Sequence, residues 1–194
     1  MGRTRDVSKI LTSNTSILSL ASASATYATK ASIGLSFINT ASFTSASTIS
    51  LPENTFTSTY DNYKMLIDLT GTGNDVVQYR MRAAGTDNST ANYDVQFIQA
   101  AGVSVTSDRG ANGTSGTIGY AGNSARNMII VEIFSPALAK TTSLRGINNP
   151  GDASNIFFRD YTSRHKVASA FDSISIIAGS GTITGTYSVY GYNK

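Results

Sequence analysis

Tyr63-Lys64-Met65-Leu66-Ile67-Asp68-Leu69 places Tyr63, Met65, Ile67 and Leu69 at every second position, with Lys64 and Asp68 between them. A period of two puts the first set on one face of an extended strand and the second set on the other. The same reading extends outward along the chain. Val77, Tyr79 and Met81 alternate with Gln78, Arg80 and Arg82, and Tyr93, Val95 and Phe97 alternate with Asp94 and Gln96. Met128–Phe134 is apolar except for Glu132, which predicts a strand buried on both sides. Val167–Phe171, Ser173–Ile177 and Ile183–Tyr192 complete a set of roughly nine or ten strands with turn residues every 8–15 positions from Ala41 onward. No helix is expected in this body. So many short antiparallel strands predict an all-β, two-sheet sandwich of jelly-roll-like form.

In the last of these strands Ile183, Gly185, Tyr187, Val189 and Gly191 share a face. Glycine inside a strand marks a bend or a close approach, so an aromatic ring from a neighbouring strand or subunit is expected to lie across this one. If the first and last strands are neighbours, Tyr60, Tyr63, Tyr187, Tyr190 and Tyr192 cluster, chiefly as packing. Ser107–Arg126 carries Gly at 110, 113, 116, 119 and 122. It is expected to be a surface loop with a short strand around Thr117–Tyr120, or else a loop ordered against a neighbouring subunit.

The first forty residues read differently. Residues 1–30 hold Arg3, Arg5, Lys9 and Lys30 against Asp6 alone, and the remainder carries eleven basic and eleven acidic residues. All of the net charge of +3 therefore belongs to this leading segment, which argues against a nucleic-acid groove across the body. Its apolar positions, Val7, Ile10, Leu11, Leu18 and Leu20 among them, are set in Ser/Thr-rich sequence with no sustained helical period beyond a short turn that Asp6 would cap. Such a segment buries little surface alone, so it is expected to be either mobile or ordered by a partner. The chain is therefore divided into an attachment arm, residues 1–40, and a sandwich, residues 41–194, with Arg3, Arg5, Val7, Lys9, Ile10, Leu11, Leu18 and Leu20 as candidate docking residues. Ile17–Leu20 is too short for the apolar core of a signal peptide, and no apolar run approaches the ~18–20 residues of a membrane-spanning helix.

Composition narrows the chemistry. The chain has no cysteine and one histidine, which excludes disulfides, thiolate metal sites and multi-histidine zinc sites. Charged residues make up only 14% of it, so carboxylates are scattered, and neither Asn74-Asp75 nor Asp87-Asn88 has the spacing of a calcium loop. Asp160, Ser163 and His165 supply the residue types of a catalytic triad, but triad members converge from separate segments, and no Gly-x-Ser-x-Gly elbow is present. The segment Arg159–Lys166 is instead expected to be an exposed turn or edge. There Arg159, Tyr161, Arg164, His165 and Lys166 offer a contact surface for a carboxylate, a phosphate or a sugar. No catalytic residue, metal or other cofactor is expected.

Several of these segments carry a resemblance. Gly2-Arg3-Thr4-Arg5-Asp6-Val7-Ser8-Lys9-Ile10-Leu11 and Ala25-Thr26-Tyr27-Ala28-Thr29-Lys30-Ala31 resemble the start of virion structural proteins of tailed bacteriophages, those of marine cyanobacteria above all. Ile49–Pro52, Phe56–Tyr63, Tyr79–Thr86, Phe171–Ile174 and Gly185–Tyr192 resemble a β-domain that recurs in phage fibre and virion proteins. The resemblance implies a β-sandwich in a homotrimer, located in the virion, attached through its N-terminal arm and without catalytic residues. The expected function is that of a short tail-fibre or appendage subunit. A capsid decoration or cement protein is the alternative toward which the modest length leans. A module binding host surface glycan is the third reading. The expected partners are further copies of the chain, another virion protein held by the arm, and a glycan on the third reading, with no nucleic acid and no membrane.

Overall fold

The computed structural model describes residues 34–123, 126–150 and 157–194. Among them there are thirteen strands and no helix. Eight of the strands form one antiparallel sheet: β1 (Leu35–Ala46), β3 (Asn62–Gly71), β6 (Tyr93–Ala101), β7 (Ser104–Gly113), β9 (Asn127–Phe134), β10 (Lys140–Asn148), β11 (Phe157–Ser169) and β13 (Ile183–Tyr192). Their order is β1-β13-β3-β9-β10-β11-β6-β7. The smaller sheet runs β2 (Thr48–Ser50), β12 (Ser173–Ala178), β4 (Asp75–Ala83) and β5 (Thr86–Asp87), with β8 (Gly116–Ala121) paired to β4. The chain crosses between the sheets repeatedly, as expected of a jelly-roll-like sandwich.

The alternation seen in sequence becomes the core. Tyr63, Met65, Ile67 and Leu69 of β3 face Val77, Tyr79 and Met81 of β4, with Ile174 and Ile176 of β12 and Ile129, Val131 and Ile133 of β9 around them, all buried. Tyr63, Tyr79, Tyr93 and Tyr161 are buried with their hydroxyls bonded, as burial requires. Tyr63 donates to the Thr57 carbonyl at 2.8 Å, and Tyr93 donates to the Asn88 carbonyl at 2.8 Å while accepting from the Met81 amide at 3.0 Å. Burial pushes the Tyr93 hydroxyl up to about 12.

Four expectations are corrected. Residues Leu35–Thr40, on the arm side of the 40/41 boundary, belong to β1, where they pair with β13. The run Met128–Phe134 is buried on one face only, because the smaller sheet covers one side of β9 and nothing among the described residues covers the other. The glycine-rich segment is strand over most of its length rather than loop, and the short strand expected around Thr117–Tyr120 is present in it. Residues 107–113 complete β7, and 116–121 form a buried strand, β8, with five backbone pairs to β4. Here glycine serves closeness: a Cβ on Gly116 would stand 2.2 Å from the Tyr79 ring and 2.6 Å from Ser163 Oγ. Arg159–Lys166 is neither turn nor edge, but the middle of β11, paired on both sides.

The glycine reading of the last strand holds at Gly191, where the Tyr60 ring lies 2.4 Å from the position a Cβ would take. The five tyrosines grouped with it divide between the faces. Tyr60 meets Tyr63 edge-on at 5.9 Å, and Tyr187 is buried on the same face. Tyr190 points outward against Phe37 at 5.8 Å, and Tyr192 donates to Glu132 at 2.6 Å, which pushes its own hydroxyl up to about 12.

Candidate functional site

Because β11 is an interior strand, its charged segment divides by parity. Arg159, Tyr161, Ser163 and His165 turn toward the smaller sheet, and Asp160, Thr162, Arg164 and Lys166 turn outward. Of the five residues expected to form one contact surface, Tyr161 and His165 are buried, Arg159 is half-buried, and only Arg164 and Lys166 reach the outer face. Arg159 sits 3.8 Å over the Tyr120 ring and donates to the Tyr161 hydroxyl at 3.2 Å, a cation–π arrangement inside the fold.

His165 is held edge-on between Tyr93 at 5.1 Å and Phe171 at 4.9 Å. Its Nδ1–H donates to the Val167 carbonyl at 3.1 Å, and Nε2 has no partner. Thr142, opposite it on β10, also has an unpaired buried hydroxyl. Burial holds the imidazole pKa below its ordinary value, so the ring is neutral at pH 7 and closed to any substrate. The triad residue types do not converge: Asp160 faces outward on Arg145, and Ser163 bonds Tyr79 Oη at 3.0 Å inside the core. Among the described residues, no three His, Cys, Asp or Glu side chains group as a metal site.

The outer face of the large sheet is where accessible chemistry gathers. Cross-strand register lines up Phe37, Tyr190, Lys64, Glu132, Arg145, Thr162, Gln96 and Arg109 in one row over all eight strands. The next row sets Phe134, Ser143, Arg164 and Asp94 side by side. Where these rows meet β9, β10, β11, β6 and β7 they border a groove of about 480 Å³, lined by Arg109, Arg145, Arg164, Gln96, Phe134 and Asp94 among others. Arg145 grips Asp160 through two nitrogens, at 3.1 and 2.6 Å. Arg164 binds one oxygen of Asp94 through Nε and Nη2, at 3.0 and 2.9 Å. The Asn112 amide and then the Arg164 guanidinium hold the Asp94 carboxyl below the usual carboxylate range.

On the other side of the same face the rows turn apolar. Leu66, Ile130 and Ile147 are consecutive cross-strand neighbours on β3, β9 and β10. Met128, Phe158 and Ile98 are exposed nearby at 56%, 48% and 46%. Sequence reasoning missed Arg109, Arg145 and Phe134 as site residues. Their outward parity was legible strand by strand, but which strands lie side by side was not. The candidate docking residues Arg3, Arg5, Val7, Lys9, Ile10, Leu11, Leu18 and Leu20 lie outside the described residues.

No protein-family model matches the chain, and no curated protein is similar to it in sequence.

Proposed function

We propose that the chain is a non-enzymatic structural protein of a phage virion, a short tail-fibre or appendage subunit. It docks through the residues that precede β1 and displays the sandwich as a homotrimer. The observation that carries the reading is the apolar half of the outer sheet face, around Leu66, Ile130, Ile147 and Phe158. Apolar side chains lined up across neighbouring strands on an uncovered sheet face mark an interaction surface. A neighbouring copy is the occupant that a homotrimer supplies. The buried, neutral His165 and the outward, ion-paired Asp160 support a non-catalytic role, because the residue types of a triad are spent on packing and on the sheet surface.

Immunogold labelling of phage particles with antibody against the sandwich tests the assignment. Label on the tail or an appendage supports it, label over the head transfers the chain to capsid decoration, and particles without label sink the virion reading. Deleting residues 2–33 spares all thirteen strands. The truncated chain is expected to fold and to be lost from particles.

A further inference from the structure

The groove on the outer face has no part in the assembly reading, and its construction restricts what fits it. Its floor is β9, β10, β11 and β6, each paired with a neighbour on both sides. The main-chain donors and acceptors there are committed to the sheet. An extended peptide adds to a sheet at its edge through backbone hydrogen bonds, and across this floor it finds none to make. The groove offers side chains instead: the planar, multiply donating guanidinium groups of Arg109, Arg145 and Arg164, the Gln96 amide, the Ser143 and Thr162 hydroxyls, and the Phe134 ring, which is 43% exposed. An aromatic wall with a fringe of polar groups that both donate and accept suits a ligand rich in hydroxyls.

The charge pattern selects further. Arg145 and Arg164 are each neutralised by an aspartate, Asp160 and Asp94. Arg109, exposed on β7, has no ion-pair partner among the described residues. The uncompensated cation of the groove is thus at one end, and Phe134 is at the other. Four strand spacings of ~4.8 Å separate their backbones by about 19 Å, so a chain of several sugar units, rather than one, reaches both. Asp94, shared by Arg164 and Lys166, engages the guanidinium in the middle of the groove and leaves no second free guanidinium for a second carboxylate.

We propose that this groove binds a carboxylate-bearing oligosaccharide, its carboxylate forked by Arg109 and a sugar ring resting on Phe134, with Gln96, Thr162 and Ser143 bonding hydroxyls between them. A guanidinium presents two parallel N–H bonds to a carboxylate, a geometry that an ammonium lacks. The site stands on its own residues and does not depend on a place in a virion.

The test uses the full chain with hexamers of hyaluronan, alginate and oligosialic acid, each beside its carboxyl-reduced neutral counterpart, measured by isothermal titration calorimetry. At least one acidic hexamer is expected to bind, with the neutral counterpart at least tenfold weaker. Arg109→Ala and Phe134→Ala are each expected to weaken binding about tenfold while leaving the melting temperature unchanged. Arg126→Ala, on the same face but outside the groove, is expected to leave affinity as it is. The proposal is overturned if none of the acidic hexamers binds, if reduction of the carboxyls leaves affinity unchanged, or if Arg126→Ala costs as much as Arg109→Ala, which would mean diffuse charge attraction. None of these results bears on particle labelling, so the two proposals fail separately.

Discussion

On β9, Ile129, Val131 and Ile133 are buried against the smaller sheet, while Met128, Ile130 and Phe134, no less apolar, face outward. The same division runs across the neighbouring strands. Inward, β11 contributes Tyr161, Ser163 and His165 to the buried interior; outward, it contributes Asp160, Thr162 and Arg164 to a surface with ion pairs. Side-chain hydrophobicity alone does not say which face is core. Coverage by a second layer does. An inward isoleucine stabilises by the water it excludes and the close packing it completes, while an outward one is available for another molecule.

The sharpest way to break this contrast is a pair of substitutions three residues apart on β9. Ile133→Ala is expected to cost about 3 kcal/mol in urea unfolding, within the usual range for truncating a buried isoleucine. Ile130→Ala on the outer face is expected to cost less than ~1 kcal/mol at concentrations low enough to keep the chain monomeric. An equal loss at Ile130 that grows with protein concentration would place a second copy over that face. Gly116→Val comes next. Its added carbons would meet the Tyr79 ring and Ser163, and overpacking of this kind costs about 1–3 kcal/mol, read as a lowered urea midpoint with the slope unchanged.

A pH series probes the inner face through His165. Its native pKa lies below the ordinary value because burial disfavours the imidazolium. The unfolded chain takes up a proton near pH 6.5 and the native state does so only at lower pH, so between those two values the unfolded state binds more protons. Stability is therefore full above about pH 6.5, falls as pH drops below it, by at most ~1.4 kcal/mol per pH unit from this group, and levels off beneath the native pKa. In His165→Phe this limb of the stability profile should be absent; a limb of unchanged slope would assign it to other groups. The smallest effect belongs to the outer ion pairs. Arg145→Gln removes the exposed partner of Asp160, and since such pairs contribute little in water, its unfolding midpoint should match that of the parent chain at moderate salt.

The alternations at Tyr63–Leu69 and Val77–Met81 were legible because both faces differ in polarity, and each proved a strand with the expected inward set. Met128–Phe134 misled because both of its faces are apolar, and composition cannot distinguish a covered face from one awaiting a partner. The glycines at 110–122 resembled loop punctuation, yet Gly116 is set by the Tyr79 ring, which arrives from a strand 37 positions earlier and has no local trace. Arg159–Lys166 looked like a turn because charge is dense there. A period-two reading puts Tyr161, Ser163 and His165 on one side, which is the arrangement found.

By itself the sequence determined that this chain is built of strands, which residues on most of them share a face, and that its net charge lies in the first thirty residues. These are local properties, set by backbone geometry with a period of two and by simple counting. Only the tertiary structure decided that β11 is interior, that Arg109, Arg145 and Arg164 share a groove with Phe134, and that His165 is sealed between two rings. Those facts depend on which strands become neighbours and where the second sheet ends, and such pairings join residues far apart in the chain, where no local pattern records them.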